Sequence, residues 1–190
     1  MKKLIMVCSL VVALIGVMSF NAGADLITGA ISFSGTSISD IQNLTLATAF
    51  TGFSNVVVSN TGGTGDYATV PSGTPVTFKP FTFSPALAPN PLVDLWKFSS
   101  GGDIYSFDAT GVSVTGKSQF TITMEGTGIA KIDGFDDTPG KWYFSANNAG
   151  GTATFSVSND VKGVPEPATL LLLGLGLVGL SGFARKKFRN

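Results

Sequence analysis

Residues 120–124 read Phe-Thr-Ile-Thr-Met, apolar and polar side chains in strict alternation. The same two-residue period runs through Ile31-Ser32-Phe33-Ser34, Val112-Ser113-Val114-Thr115 and 154–158. Successive side chains of an extended strand point to opposite faces, so such a run buries one face and wets the other. A helix buries positions three and four apart and gains nothing from this pattern. The alternation therefore commits most of the chain to half-buried strands, and one wet face per strand favours antiparallel pairing.

Further strand-like runs occupy 54–59, 76–83, 92–98, 103–108, 127–132 and 142–145, rich in Val, Thr, Phe and Ile. These residue types suit a pleated, half-buried surface. Turn-forming residues punctuate the runs: Gly62-Gly63, Gly101-Gly102, Gly116, Gly126, Asp133-Gly134, Pro139-Gly140 and Gly150-Gly151. The spacing predicts an all-β fold, an antiparallel β-sandwich or barrel-like domain of about 8–11 short strands. The best helix candidate in the body is 37–49, with Asp40 as its cap. Its Thr, Asn and β-branched content suits strand or loop at least as well. Residues 71–91 hold six of the nine prolines. Central strands tolerate proline badly, so this stretch reads as an edge strand, a crossing loop, or both, pinned to the core by Phe78, Phe81 and Phe83.

The two ends differ from the body. Met1-Lys2-Lys3 precedes an apolar stretch to Phe20, and Ala22-Gly23-Ala24 follows. This is the pattern of a secretory signal peptide, residues 1–24, with signal peptidase cutting after Ala24 in the A-x-A frame set by Ala22 and Ala24. Near the other end, Ala168 to Ala184 is an uncharged run of 17 residues. At about 1.5 Å per residue it makes roughly 25 Å of helix, close to the minimum for a membrane span. Arg185, Lys186, Lys187 and Arg189 close it and place that side in the cytoplasm. Just before it, Pro165 and Pro167 hold Glu166 in an extended segment. The expected organisation is thus a signal peptide, an extracytoplasmic β domain over 25–163, and a tail over 164–190. The tail comprises the Pro-Glu-Pro motif at 165–167, a transmembrane helix at 168–184 and a basic end at 185–190.

That tail resembles the PEP-CTERM sorting signal of Gram-negative bacteria. The resemblance rests on Pro165, Glu166, Pro167, the span and the cations, and covers none of the body. It implies processing by an exosortase, a membrane cysteine protease that recognises the Pro-Glu-Pro region. Glu166 and its prolines would be recognition residues for that enzyme. The precursor would be held transiently in the inner membrane, the tail removed, and the body delivered to the outer surface or an extracellular matrix.

The remaining composition narrows the function. The chain contains no histidine, and its one cysteine, Cys8, lies within the signal peptide. The body therefore has no disulfide, no Cys-His or Ser-His-Asp site, and none of the usual zinc ligand sets. Residues 25–163 carry six lysines, no arginine and eleven carboxylates, a formal charge of −5. This does not suit nucleic acid, which demands cationic grooves. No cofactor is expected. Asp133, Asp136 and Asp137 are grouped in one turn-like stretch and are candidate calcium ligands, or carboxylates of a glycan-cleaving enzyme. Turn-forming aspartates serving backbone amides explain the same pattern. Trp96 and Trp142, with Tyr105 and Tyr143, are candidate sugar-stacking residues. The expectation is a non-enzymatic exported protein with a structural and adhesive role, extracellular polysaccharide being a further partner. The alternatives are a carbohydrate- or calcium-binding module and, behind it, a polysaccharide-acting enzyme.

Overall fold

The computed structural model describes residues 24–148 and 152–159. Residues 1–23 of the expected signal peptide and the 164–190 tail, including its expected transmembrane helix, lie outside the described residues. Nine strands form the domain: β1 (Gly29–Ser39), β2 (Ala49–Gly63), β3 (Thr77–Phe78), β4 (Phe81–Thr82), β5 (Leu92–Ser100), β6 (Asp103–Lys117), β7 (Thr121–Ile132), β8 (Thr138–Asn147) and β9 (Thr152–Asn159). A short 3-10 turn spans Gly65–Tyr67. Every strand pair is antiparallel, and the strands make one sheet in the order β3-β5-β6-β7-β8-β9-β1-β2-β4. The all-β antiparallel expectation is met. The architecture is a single curled sheet, a half-barrel, and not two sheets packed face to face. Alternation only demands that one face be covered. A sheet can meet that demand by packing on a second sheet or by curling over its own apolar side.

The curl has local causes. Register shifts fall between Ala109 and Gly111 and between Val114 and Gly116 on β6, and at three places along β1–β2. Such bulges bend a strand and increase its twist. The strands are also longer than expected, with β2 and β6 of 15 residues each. Gly116, Gly126 and Pro139-Gly140, read from the sequence as breakers, all lie inside strands. For Gly126 the reason is packing. On the inward face of β7 the sequence runs Ile122, Met124, Gly126, Gly128, Ala130, Ile132, and the two glycines leave room for neighbouring rings. A Cβ at Gly126 would strike the Gly111 carbonyl and the Trp142 indole; one at Gly128 would strike the Asp108 carbonyl and the Phe107 ring. By contrast, Gly101 and Gly102, with φ of 64° and 101°, form the two-residue turn of the β5–β6 hairpin, where both positions need positive φ.

The proline-rich stretch spans the open side of the half-barrel. Gly73 and Val76 donate backbone hydrogen bonds to Val58 and Val56 of β2, and Val58 donates to Thr74. Two residues later Phe78 pairs with Trp96 of β5, and Lys79 donates to Leu95. The chain then returns: Phe81 pairs with Phe50, and Phe83 donates to Thr48. Both readings of this stretch, edge strand and crossing loop, hold together. Phe78, Phe81 and Phe83 are buried as expected.

Inside the curl is an aromatic core. Phe33 lies 5.1 Å from Trp96 and 5.6 Å from Phe78; Phe50 lies 4.8 Å from Phe144 and 5.5 Å from Phe83. Rings from strands at both ends of the sheet thus interlock. The void lined by Phe33, Phe53, Phe78 and Phe144 is only about 10 Å³, at the lower limit for a single water.

The helix candidate at 37–49 is not a helix: β1 runs to Ser39, a turn follows, and β2 starts at Ala49. Asp40 accepts hydrogen bonds from the Thr48 backbone amide (3.0 Å) and hydroxyl (2.6 Å). Desolvation raises its pKa, but the Thr48 hydrogen bonds outweigh this and hold the carboxyl below its ordinary value.

Substituting Gly126 with Ala is expected to cost about 1–3 kcal/mol in urea unfolding, as overpacking does. Substituting the exposed Ser113 with Ala is expected to stay within about 0.5 kcal/mol of the parent. Equal midpoints for the two variants would contradict the packing role assigned to Gly126.

Candidate functional site

The aspartates read as calcium or catalytic candidates do not act together. Asp133 accepts a hydrogen bond from the Ile104 amide (3.0 Å) and closes the turn after β7. Asp136 uses its backbone: its amide donates to Asp25 (3.1 Å), and its carbonyl accepts from Thr138 (2.8 Å). The Asp137 carboxylate lies 3.8 Å from the Lys131 ammonium. Among the described residues no group of three acidic, His or Cys side chains is placed to hold a metal ion. These aspartates serve the turn and the docking of the first residues of the domain. Ile27 donates to the fully buried Thr138 hydroxyl (2.9 Å), and Thr28 donates to Asp66 (2.6 Å).

The tryptophans are also placed differently from a sugar platform. Trp96 and Trp142 are both completely buried. Trp96 stacks on Phe107 at 5.9 Å, and Trp142 donates its indole N–H to Thr127 (3.2 Å). Tyr105 is buried against Phe98, ring centres 4.8 Å apart. Each falls on an inward position of its strand, so all three rings build the core. Tyr143, next to Trp142 and therefore on the opposite face, is 44% exposed.

A charged cluster missed in the sequence lies over β5–β7. Asp94 adopts φ of 53° at a register shift in β5, a conformation that Asp tolerates better than most residues. Its amide donates to the Asp108 carboxylate (2.8 Å), and its own carboxylate lies between Lys79 (3.9 Å) and Lys97 (3.6 Å). Asp108, only 8% exposed, is also 2.8 Å from Lys131. The Asp108 hydrogen bond, against a smaller desolvation effect and with further help from neighbouring carboxylates, raises the Lys131 pKa. A lysine held so firmly as a cation is a poor nucleophile or base. The cluster neutralises a buried carboxylate and supplies an acceptor to the irregular amide of Asp94.

The outward face of β7, β8, β9, β1 and β2 carries a different surface. Register aligns Thr123 with Ser145, Ser145 with Thr154, and Thr154 with Ser34. The next row aligns Glu125 with Tyr143. Ser34, Thr123, Tyr143, Ser145 and Thr154, together with Ser59, Thr61 and Thr115 and with the buried Phe33, Met124 and Phe144, line a trough of about 540 Å³. A second depression of about 350 Å³, edged by Ser113, Glu125, Thr127 and Lys141, meets the first at Tyr143. Local hydroxyl pairs preorganise the rim: Thr115 donates to Thr123 (3.1 Å), and Ser59 and Thr61 are 2.8 Å apart. Only the register of six strands, β6 to β9 with β1 and β2, brings these positions together. The exposed positions of alternating strands were the sole hint in the sequence.

Residues 163–187 match the family model of the PEP-CTERM protein-sorting motif. This agrees with the resemblance carried by Pro165, Glu166, Pro167 and the segment after them, and it marks the chain as an exported exosortase substrate. The sorting residues lie outside the described residues, as do Ala22 and the cations from Arg185 onward. No curated protein and no solved structure matches the chain.

The Lys131 shift has a defined pH signature. Its folded pKa lies above the unfolded one, so its contribution to stability is fully present below the ordinary lysine value of about 10.4 and is lost as pH rises through the folded pKa. Melting temperature measured from pH 8 upward is expected to fall more steeply for the parent than for Lys131→Met. Parallel curves would remove the ion pair from the account.

Proposed function

We propose that residues 25–163 form a non-enzymatic domain that an exosortase delivers to the cell surface or the extracellular polysaccharide matrix, where it has a structural and adhesive role. The observation that carries this reading is the sorting motif at 163–187, which follows a single β domain. The domain itself supports it. Its interior is filled by rings, and its clustered aspartates are engaged with backbone amides or lysines. Gly29, at the start of β1, pairs with Asn159, at the end of β9, so the chain enters and leaves the domain at one end. The opposite end, with its turns at 40–46 and 118–120, is left free for contact. Asp25, the residue expected after signal-peptidase cleavage at Ala24, is already hydrogen-bonded to Asp136, so the shortened chain begins inside the fold.

Replacing Glu166 with Ala, or Pro165 and Pro167 together with Ala, is expected to leave full-length precursor in the inner membrane of the host and to deplete the surface and extracellular fractions. Immunoblots of fractionated cells check this. Unchanged release of the processed domain from both variants would contradict exosortase recognition of this motif.

A further inference from the structure

The trough that meets the second depression at Tyr143 has a chemistry that selects its occupant. Its lining combines Ser and Thr hydroxyls with apolar surface, including the buried Phe33, Met124 and Phe144 and a tyrosine at one edge, and no charged side chain lines the larger part among the described residues. At the Tyr143 edge stand one carboxylate and one ammonium, Glu125 and Lys141, which offset each other. A polyanion would need an excess of cations, and the body carries no arginine. A peptide adding to a sheet needs a free strand edge, whereas β7, β8, β9 and β1 are hydrogen-bonded on both sides. A ligand that is itself rich in hydroxyls, uncharged and elongated fits all of these features. Each Ser or Thr hydroxyl donates one hydrogen bond and accepts up to two, matching the mixed character of sugar hydroxyls. The exposed ring of Tyr143 supplies the flat apolar surface on which the C–H face of a pyranose packs.

We infer that the Ser- and Thr-rich trough across β6, β7, β8, β9, β1 and β2, with Tyr143 at its edge, binds a neutral polysaccharide chain. The inference rests on the proposed delivery of this domain outside the cell and names the partner it holds there. Binding by one repeat unit would be weak, because each hydroxyl exchanges water for sugar at little gain. A long chain engages successive copies and gains by effective concentration.

The test is affinity electrophoresis of the full chain in a non-ionic polyoxyethylene detergent, which contains no sugar. Gels carry hydroxyethyl cellulose, dextran, heparin or no polymer. Retardation by at least one neutral glucan and not by heparin is expected. Tyr143→Ala should weaken the apparent affinity about ten-fold, and Tyr143→Phe, which keeps the ring, should stay close to the parent. Paired Thr123→Val and Ser145→Ala should also weaken it, while Phe120→Ala, exposed but outside the trough, should not. Melting curves establish that each variant is folded. Retardation by heparin alone, equal retardation of the parent and Tyr143→Ala, or no retardation by either glucan would overturn the proposal. So would a self-association that Tyr143→Ala abolishes in the absence of glucan binding, since it would assign the trough to a second copy of the chain. The cellular fractionation of the Glu166 variant is independent of all these outcomes, so failure of glycan binding leaves the sorting reading standing.

Discussion

Residues 73–84 hydrogen-bond in turn to β2, to β5 and again to β2, strands that lie near opposite ends of the sheet order. This stitching is what allows a single sheet to bury its apolar face. Without it, the seven other antiparallel strands would present one long hydrophobic side with nothing to cover it. With it, Phe78, Phe81 and Phe83 are driven inward against Phe33, Phe50 and Trp96, and the two edges of the curl are tied by backbone pairs and interlocked rings. Proline serves this task well. Pro75 and Pro80 offer no amide, so the chain is free to change partners where a regular strand would continue along one neighbour.

Closing the curl with rings has consequences elsewhere. The rings need space, which explains why β7 carries Gly126 and Gly128 on its inward face, opposite Trp142 and Phe107. They leave only a small void where Phe33, Phe53, Phe78 and Phe144 meet, whereas the larger depressions are lined by outward Ser and Thr side chains. There the alternate positions of the same strands carry Ser, Thr and Tyr143, and register sets them side by side along a trough. The irregularity at Asp94 in β5 exposes an amide that Asp108 takes up, and Lys131 in turn neutralises Asp108. A cluster that looks catalytic by composition is thus accounted for by the geometry of one bulge.

Much of the strand content was legible because alternation is a local signal. Every run read from the sequence lies largely within an observed strand, except 76–83, which is split into the two short strands β3 and β4. The closure was not legible, since alternation specifies that one face is buried and not what covers it. Gly116 and Gly126 were read as breakers because a glycine between two apolar runs looks the same whether it turns the chain or makes room for a ring. The candidate site was read least well. Trp96 and Trp142 drew attention by type, but their strand positions face inward. Tyr143 was set beside them as an equal, and only its parity relative to Trp142 separates it. Thr123, Ser145, Thr154 and Ser34 are ordinary residues until register aligns them. The tail is the opposite case. Pro165, Glu166, Pro167, an apolar run and a basic cluster are contiguous, so no folding is needed to read them.

The surface role of this domain depends most on its being cut from a sorted precursor and placed outside the cell. The intact mass of the protein recovered from its host, together with the fraction it comes from, tests that claim most directly. The account predicts a species that begins at Asp25, lacks the residues beyond the Pro165-Glu166-Pro167 region, and is found outside the inner membrane. A mass that retains residues 168–190, recovered from the inner membrane, would contradict it.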